Sequence, residues 1–297
     1  MPTLLSCADP LDQRRTDSHF AAETAAAREH GAGVGLIDHE LLLGGAAEAA
    51  VRRVPRDLGP AWYRGWMIPS TAYAALAEAL AARGTPLIVD AAAYRSAHEL
   101  PGWYETFASV TPASAWVASA PGEVPDAATL SRLAKELGAG PGMVKDYVKS
   151  AKHAWETACY IPDLSDVAKV GRVVAAFVAE QDSYLAGGIV LRAFESFGSA
   201  GRAATEARVW WLDGEPVFAG AHPDTPDQRP EPVLDGVAEC VRRLGARFVT
   251  TDLARREDGL WRVVEVGDGQ VSDLPAGTDP KLIVGALLSS VARGPLR

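Results

Sequence analysis

The stretch Val263-Val-Glu-Val-Gly-Asp-Gly-Gln-Val-Ser-Asp273 constrains this chain most, because an apolar strand there delivers two carboxylates, Glu265 and Asp268, into a glycine turn. Acidic groups placed so close together repel unless something positive stands between them. Upstream, Phe248-Val-Thr-Thr-Asp-Leu-Ala254 reads as a second strand carrying Asp252, and Arg256-Glu-Asp-Gly-Leu260 supplies a turn that pairs the two strands antiparallel. Three carboxylates, Asp252, Glu265 and Asp268, can then converge at one sheet end. Two readings stay open from these residues alone: a plain hairpin whose acids face water, or hard oxygen ligands around a divalent ion that also touches a polyphosphate.

The rest of the chain narrows the choice. With 297 residues and 48% hydrophobic content it can bury substantial cores and is long for one compact unit. A net charge of -9 argues against a nucleic-acid binder that depends on a broad basic surface. Three cysteines, Cys7, Cys159 and Cys240, have no zinc-like spacing and an odd total, which fits reduced thiols in a cytoplasm. No basic-then-apolar leader opens the sequence and no run of eighteen apolar residues follows, so a soluble protein with no membrane partner is expected.

Up to about residue 120, strand-like and helix-like stretches alternate. Thr3–Ala8 reads as a strand, Phe20–His30 as a helix stopped by Gly31, and Val34–Asp38 as a second strand, which together make one βαβ unit. Val51–Val54 and Ala61–Trp66 are short strand candidates. A helix with Ser70 as its N-cap candidate runs to Leu80, and Pro86–Asp90 gives another strand. This alternation predicts a largely parallel sheet with covering helices, yet no Gly-x-Gly-x-x-Gly follows the first strand, which weakens a dehydrogenase reading. Within this region Arg64, in Tyr63-Arg-Gly-Trp-Met67, either clamps a substrate carboxylate or phosphate, or stacks on Trp62 or Trp66 at a strand end.

Beyond residue 112 the turns multiply. Asp126 can cap a helix running to Leu137, before a strand over Met143–Val148. Lys145, Lys149 and Lys152 fall within eight residues, either as partners of a phosphate or as guards on an exposed edge strand. Leu164–Gln181 has helical periodicity; Gly187–Glu195 is a strand interrupted by Arg192. The loop 196–204 leads to a strand over Thr205–Leu212, where Glu206 and Arg208 share one face. Asp213-Gly214 turns that strand into Glu215–Ala219, and helices over Pro232–Leu244 and Pro280–Arg293 follow.

In this order a strand lysine (Lys145), a hinge strand (Val190-Leu-Arg-Ala-Phe194), Glu206-Ala-Arg208, Asp252 and Glu265 resemble the ATP-grasp superfamily. Tyr63-Arg-Gly-Trp-Met67 and Glu265-Val-Gly-Asp-Gly-Gln270 are most similar to its clade named for two arginines and a lysine. The resemblance implies an α/β and α+β architecture: an ATP-grasp fold with an N-terminal Rossmann-like (pre-ATP-grasp) domain at 1–118, a lid at 119–186 and a catalytic, metal-binding part at 187–297. It implies ATP and Mg2+ as cofactors, the nucleotide lying between two α+β subdomains. Lys145, helped by Lys149 and Lys152, would contact phosphates, and the backbone at Ala193 and Phe194 would read the adenine edge. Arg208 would act beside the transferred phosphate, Arg192 at the hinge would reach a phosphate or the substrate, and Asp252 and Glu265 would hold magnesium. At the second position of the usual Glu-x-Asn stands Gly267, for which Asp268 substitutes, and the glycine-rich phosphate loop after the strand lysine is missing. The implied reaction is carboxylate–amine ligation through an acyl phosphate on a small-molecule or peptide substrate, with a kinase on the same fold or a nucleotide-binding module without turnover as alternatives. A homodimer is common in such enzymes.

Overall fold

The computed structural model describes residues 2–198, 204–275 and 277–291. By Cα proximity they group into two compact units: Met1–His98 with Glu206–Leu253 and Glu265–Arg297, and Glu99–Thr205 with Ala254–Val264. The three consecutive segments read from the sequence follow chain order, whereas these units are interleaved.

The first unit opens with β1 (Thr3–Cys7), α1 (Ala21–Glu29), β2 (Gly33–Ile37), α2 (His39–Leu43), α3 (Ala47–Ala50), β3 (Ala61–Arg64), α4 (Ser70–Ala81) and α5 (Ala91–His98). Its strands form a parallel sheet in the order β2-β1-β3, as the βαβ pattern predicts. Gly31 ends α1 at φ +73°, a conformation that costs a side-chain-bearing residue more than glycine. Two expected strands are absent. Val51–Val54 forms the turn after α3, its two valines buried by packing rather than pairing. Pro86–Asp90 contributes only one bridge, Leu87 to Ala61. Ser70 is the first residue of α4 and not its cap; Pro69 holds the cap position.

The second unit holds α6 (Leu100–Phe107), β4 (Ser114–Ala118), α7 (Ala127–Leu137), β5 (Gly142–Asp146), β6 (Tyr160–Ile161), α8 (Val167–Gln181) and β7 (Gly188–Ala193). Its strands make a second sheet, β4-β7-β5-β6, whose paired strands run antiparallel. Asp126 caps α7 by accepting from Thr129 N at 2.7 Å, as read from the sequence. Asp166 caps α8 in the same way through Lys169 N, so the helix starts later than its apolar periodicity suggests. Phe177, Val174, Val144 and Leu191 are at the centre of this unit's core.

Then come β8 (Glu206–Leu212), β9 (Glu215–Ala221), α9 (Asp235–Leu244), β10 (Phe248–Arg255), β11 (Trp261–Asp268) and α10 (Pro280–Ser290). The strands form a third sheet in the order β11-β10-β8-β9. Asp213 and Gly214, at φ 52° and 83°, make the predicted hairpin turn. Trp210, Phe248, Leu287 and Trp62 share the first unit's core, and Trp62 Nε1 donates to Leu287 O at 2.8 Å. Parts of two expected segments, loop positions 199–203 and the helix end at Ala292 and Arg293, lie outside the described residues. Among the described residues no helix is long and apolar enough to cross a membrane.

Candidate active site

Strand alternation on β8 puts Glu206 and Arg208 on one face, and neighbouring β10 presents Asp252 to it. Arg208 donates Nε to Asp252 Oδ1 at 2.7 Å and Nη2 to Asp252 Oδ2 at 2.8 Å. From the end of β9, His222 completes the group. Asp224 N donates to its Nδ1 at 3.1 Å, which leaves Nε2 as the protonated nitrogen, 3.2 Å from Asp252 Oδ2. Burial alone pushes the Asp252 carboxyl up, but the hydrogen bonds from Arg208 and His222 outweigh it and hold the group at about 2. Burial likewise works to lower Arg208, and the Asp252, Glu265 and Asp273 carboxylates raise it.

Arg208, Asp252, Glu265 and Asp268 all line one pocket of about 150 Å³ in the first unit, together with Met67, His98, Thr250, Val266 and Gly267. The sequence expectation that these carboxylates meet is therefore met at the level of a shared pocket. They do not form a three-carboxylate cage: among the described residues no three His, Cys, Asp or Glu side chains are grouped to hold a metal. Asp268 is fully buried at the pocket wall, and its Oδ1 accepts from Gln270 N at 2.9 Å and Gln270 Nε2 at 3.1 Å. Gly267, at the usual asparagine position, is closed in as well, since a Cβ there would stand 3.1 Å from Thr250 Oγ1, whose hydroxyl pairs with Ser272 Oγ at 2.8 Å. Two carboxylates remain as donors, Asp252 and Glu265. They fit magnesium, which is commonly held by one or two carboxylates and completed by water and phosphate oxygens.

Arg64 corrects another expectation. Its Nε and Nη2 grip Glu23 at 2.6 and 2.7 Å, and Nη1 donates to the carbonyls of Gly269, Gln270 and Ser272. The guanidinium is 1% exposed and lies 5.2 Å from the Trp210 ring, not stacked on Trp62 or Trp66. A substrate clamp needs an accessible fork; this one is spent on fixing the turn that carries Asp268. Gln270 shares that task, accepting from Tyr63 N at 3.2 Å and donating to Tyr73 Oη at 2.9 Å.

The remaining predicted residues belong to the second unit. Lys145 is buried on β5, a strand flanked by β7 and β6, and its Nζ donates to Val148 O at 3.3 Å. An edge-guarding lysine would be exposed, so that alternative falls. Lys149 and Lys152 are exposed. The guanidinium of Arg192 is held internally, donating to Ser114 Oγ, Val264 O and Thr111 Oγ1, 5.8 Å from the Trp103 ring. That internal engagement is not what a phosphate-contacting arginine at the hinge requires. The Ala193 and Phe194 amides are also taken, by Ala113 O and Pro141 O. What the sequence reading missed is the ring of Phe194. It lies 5.6 Å from Tyr160 and 6.0 Å from Trp155, which stack on each other, forming a half-exposed aromatic group on the unit that carries Lys145.

Residues 136–287 match the model of an ATP-grasp domain, family 3 of the clade named for two arginines and a lysine. Among solved structures, D-cycloserine synthetase DcsG superposes with a TM-score of 0.61 at 20% identity, over 96% of this chain and 99% of its own. The RimK domain protein ATP-grasp from Sphaerobacter thermophilus DSM 20745 gives 0.60 at 14%, over 97% and 99%. The macrocyclase MdnC bound with precursor peptide MdnA, from Microcystis aeruginosa MRC, gives 0.58 at 13%, over 98% and 100%. At these identities the likeness is one of fold. Among curated protein sequences no match was found.

Proposed function

The chain belongs to the ATP-grasp superfamily, in family 3 of its two-arginine-and-lysine clade, and from that premise we propose that it is an ATP- and magnesium-dependent ligase joining a carboxylate to an amine. The observation that carries this reading is the pocket shared by Arg208, Asp252 and Glu265. A carboxylate is a poor electrophile until one oxygen becomes a phosphate leaving group. In the first step a substrate carboxylate oxygen attacks the γ-phosphorus, the bond to ADP breaks, and an acyl phosphate forms. In the second the amine attacks the acyl carbon, the acyl C–O bond to phosphate breaks, inorganic phosphate leaves with the proton that the nitrogen gives up, and the amide remains.

Arg208 is suited to stabilise charge that spreads over the moving phosphoryl, because Asp252, itself held by His222, fixes its orientation beforehand. Asp252 and Glu265 would hold magnesium, which when bound neutralises phosphate charge. In the second unit, Lys145 has the burial and charge to meet a phosphate, with Lys149 and Lys152 as exposed helpers. The Trp155, Tyr160 and Phe194 rings offer a surface on which a base can stack. Structural neighbours named as a synthetase and as a macrocyclase with a precursor peptide support a small-molecule or peptide substrate.

The test is ADP release from Mg-ATP in the presence of pooled carboxylates and amines, with hydroxylamine as a trap. ADP together with a hydroxamate is expected. ADP without hydroxamate would make the protein a kinase on the same fold, and AMP in place of ADP would overturn the acyl-phosphate route. Lys145→Ala is expected to weaken ATP binding at least tenfold, measured by calorimetry.

A further inference from the structure

Asp268 is fully buried and lines the pocket that holds Arg208, Asp252 and Glu265. Its Oδ1 is satisfied twice by Gln270, while its Oδ2 is buried with no hydrogen-bond partner among the described residues. Leaving a buried polar atom unsatisfied costs about 1–3 kcal/mol, and more for a charged one, so such an atom in a pocket marks a group completed by a ligand.

The side chains bonded around it direct their donors elsewhere. Arg208 turns three of its nitrogens to Asp252 and the Asp273 carbonyl, Arg64 is spent on Glu23 and three carbonyls, and the Thr250 and Ser272 hydroxyls bond each other. The Asp273 carboxylate has His19 at 2.9 Å. The occupant must therefore bring an N–H or O–H of its own, and the surplus of carboxylates on this wall favours one that is positively charged.

Resting on the ligase reading above, we propose that Asp268 Oδ2 receives the ammonium group of the amine substrate and takes the proton that its nitrogen must lose before attack, so that this residue selects primary amines and is not a metal ligand. Magnesium asks for an octahedral set of oxygens, whereas a single carboxylate oxygen whose twin is locked by two N–H groups suits a compact point charge with three donors. Met67, 38% exposed at the same pocket, offers apolar cover to the carbon chain behind that ammonium. Burial pushes the Asp268 carboxyl up to about 7 against the Gln270 hydrogen bonds and the Arg64 charge, so an arriving cation also draws it into the ionised form.

The experiment uses the full chain and needs no turnover. Ethylammonium, tetramethylammonium and ethanol are titrated separately, and thermal stabilisation is followed. Wild type should bind ethylammonium at least tenfold more tightly than tetramethylammonium, which has the charge without the donor, and than ethanol, which has the donor without the charge. Asp268→Asn keeps an acceptor for Gln270 and puts an amide NH2 where the orphaned oxygen was; it should lose this preference at least tenfold. Mn2+ binding in the presence of ADP, read by electron paramagnetic resonance, should stay within twofold. Equal binding of the three probes by wild type, an unchanged preference in Asp268→Asn, or a tenfold loss of Mn2+ affinity in that variant would each overturn the proposal. Failure of the ADP and hydroxamate assay would instead count against ligation and leave these binding results standing.

Discussion

Arg208 holds both oxygens of Asp252 with one planar guanidinium, at 2.7 and 2.8 Å, with both side chains at most 14% exposed. A bidentate pair in low dielectric is weak evidence for stability, yet breaking it strands a charge. Arg208→Met should destabilise the protein by about 3–5 kcal/mol, and Asp252→Leu by a comparable amount. The double variant should recover most of that loss, because no uncompensated charge remains. Urea denaturation of the four proteins measures the cycle; strict additivity would mean that the pair is not coupled.

Arg64 and Glu23 form a second buried pair, and here the guanidinium also ties three carbonyls of the Gly269–Ser272 turn. Arg64→Met is expected to cost about 3–5 kcal/mol in urea, as an orphaned Glu23 and unpaired carbonyls replace a satisfied network. A residue reserved for substrate would show no change in stability on the same substitution, so the denaturation curve alone separates the two roles.

Much of the frame was legible because its signals are local. Hydrophobic alternation located β8 and β10, Asp213-Gly214 located the hairpin, and Asp126 located a helix start. His222 was not found, and the reason is one extra residue. Counting back from the turn pairs Leu212 with Glu215 and Trp211 with Pro216, but a bulge then shifts the register so that Trp210 faces Phe218 and Arg208 faces Gly220. Past that bulge His222 N meets Glu206 O, which brings the imidazole to Asp252. Arg64 was misjudged for a different reason. An arginine among aromatics reads alike whether its partner is a substrate or a glutamate 41 residues away, and only tertiary packing decides.

All three thiols are buried, and burial pushes each of them up, Cys159 to about 11 despite the Lys152 and Lys145 charges that lower it. Thiolate, not thiol, is the reactive form. At pH 8 the native protein should give almost no fast reaction with Ellman's reagent, and three equivalents once unfolded in guanidinium. A fast equivalent in the native state would show that one of these sites opens.

Asp268 sets a pH dependence opposite to that of an ordinary salt-bridged acid. Its carboxyl titrates near 7 in the folded chain, driven up by burial, and near the usual carboxylate value when unfolded. Between those values the folded state binds the extra proton, so stability falls as pH rises from about 4 to about 7 and levels off above, where the folded protein carries a buried charge. The full effect has an upper bound of about 4 kcal/mol. Asp268→Asn cannot ionise and keeps an acceptor for the Gln270 N–H groups. Its stability relative to wild type should therefore grow from pH 5 to pH 8, by about 2–4 kcal/mol in ligand-free urea titrations. Parallel curves for the two proteins across that range would mean that Asp268 does not titrate there. Addition of ethylammonium should shrink the difference at pH 8, since the bound cation neutralises the carboxylate in wild type and finds no such partner in the variant.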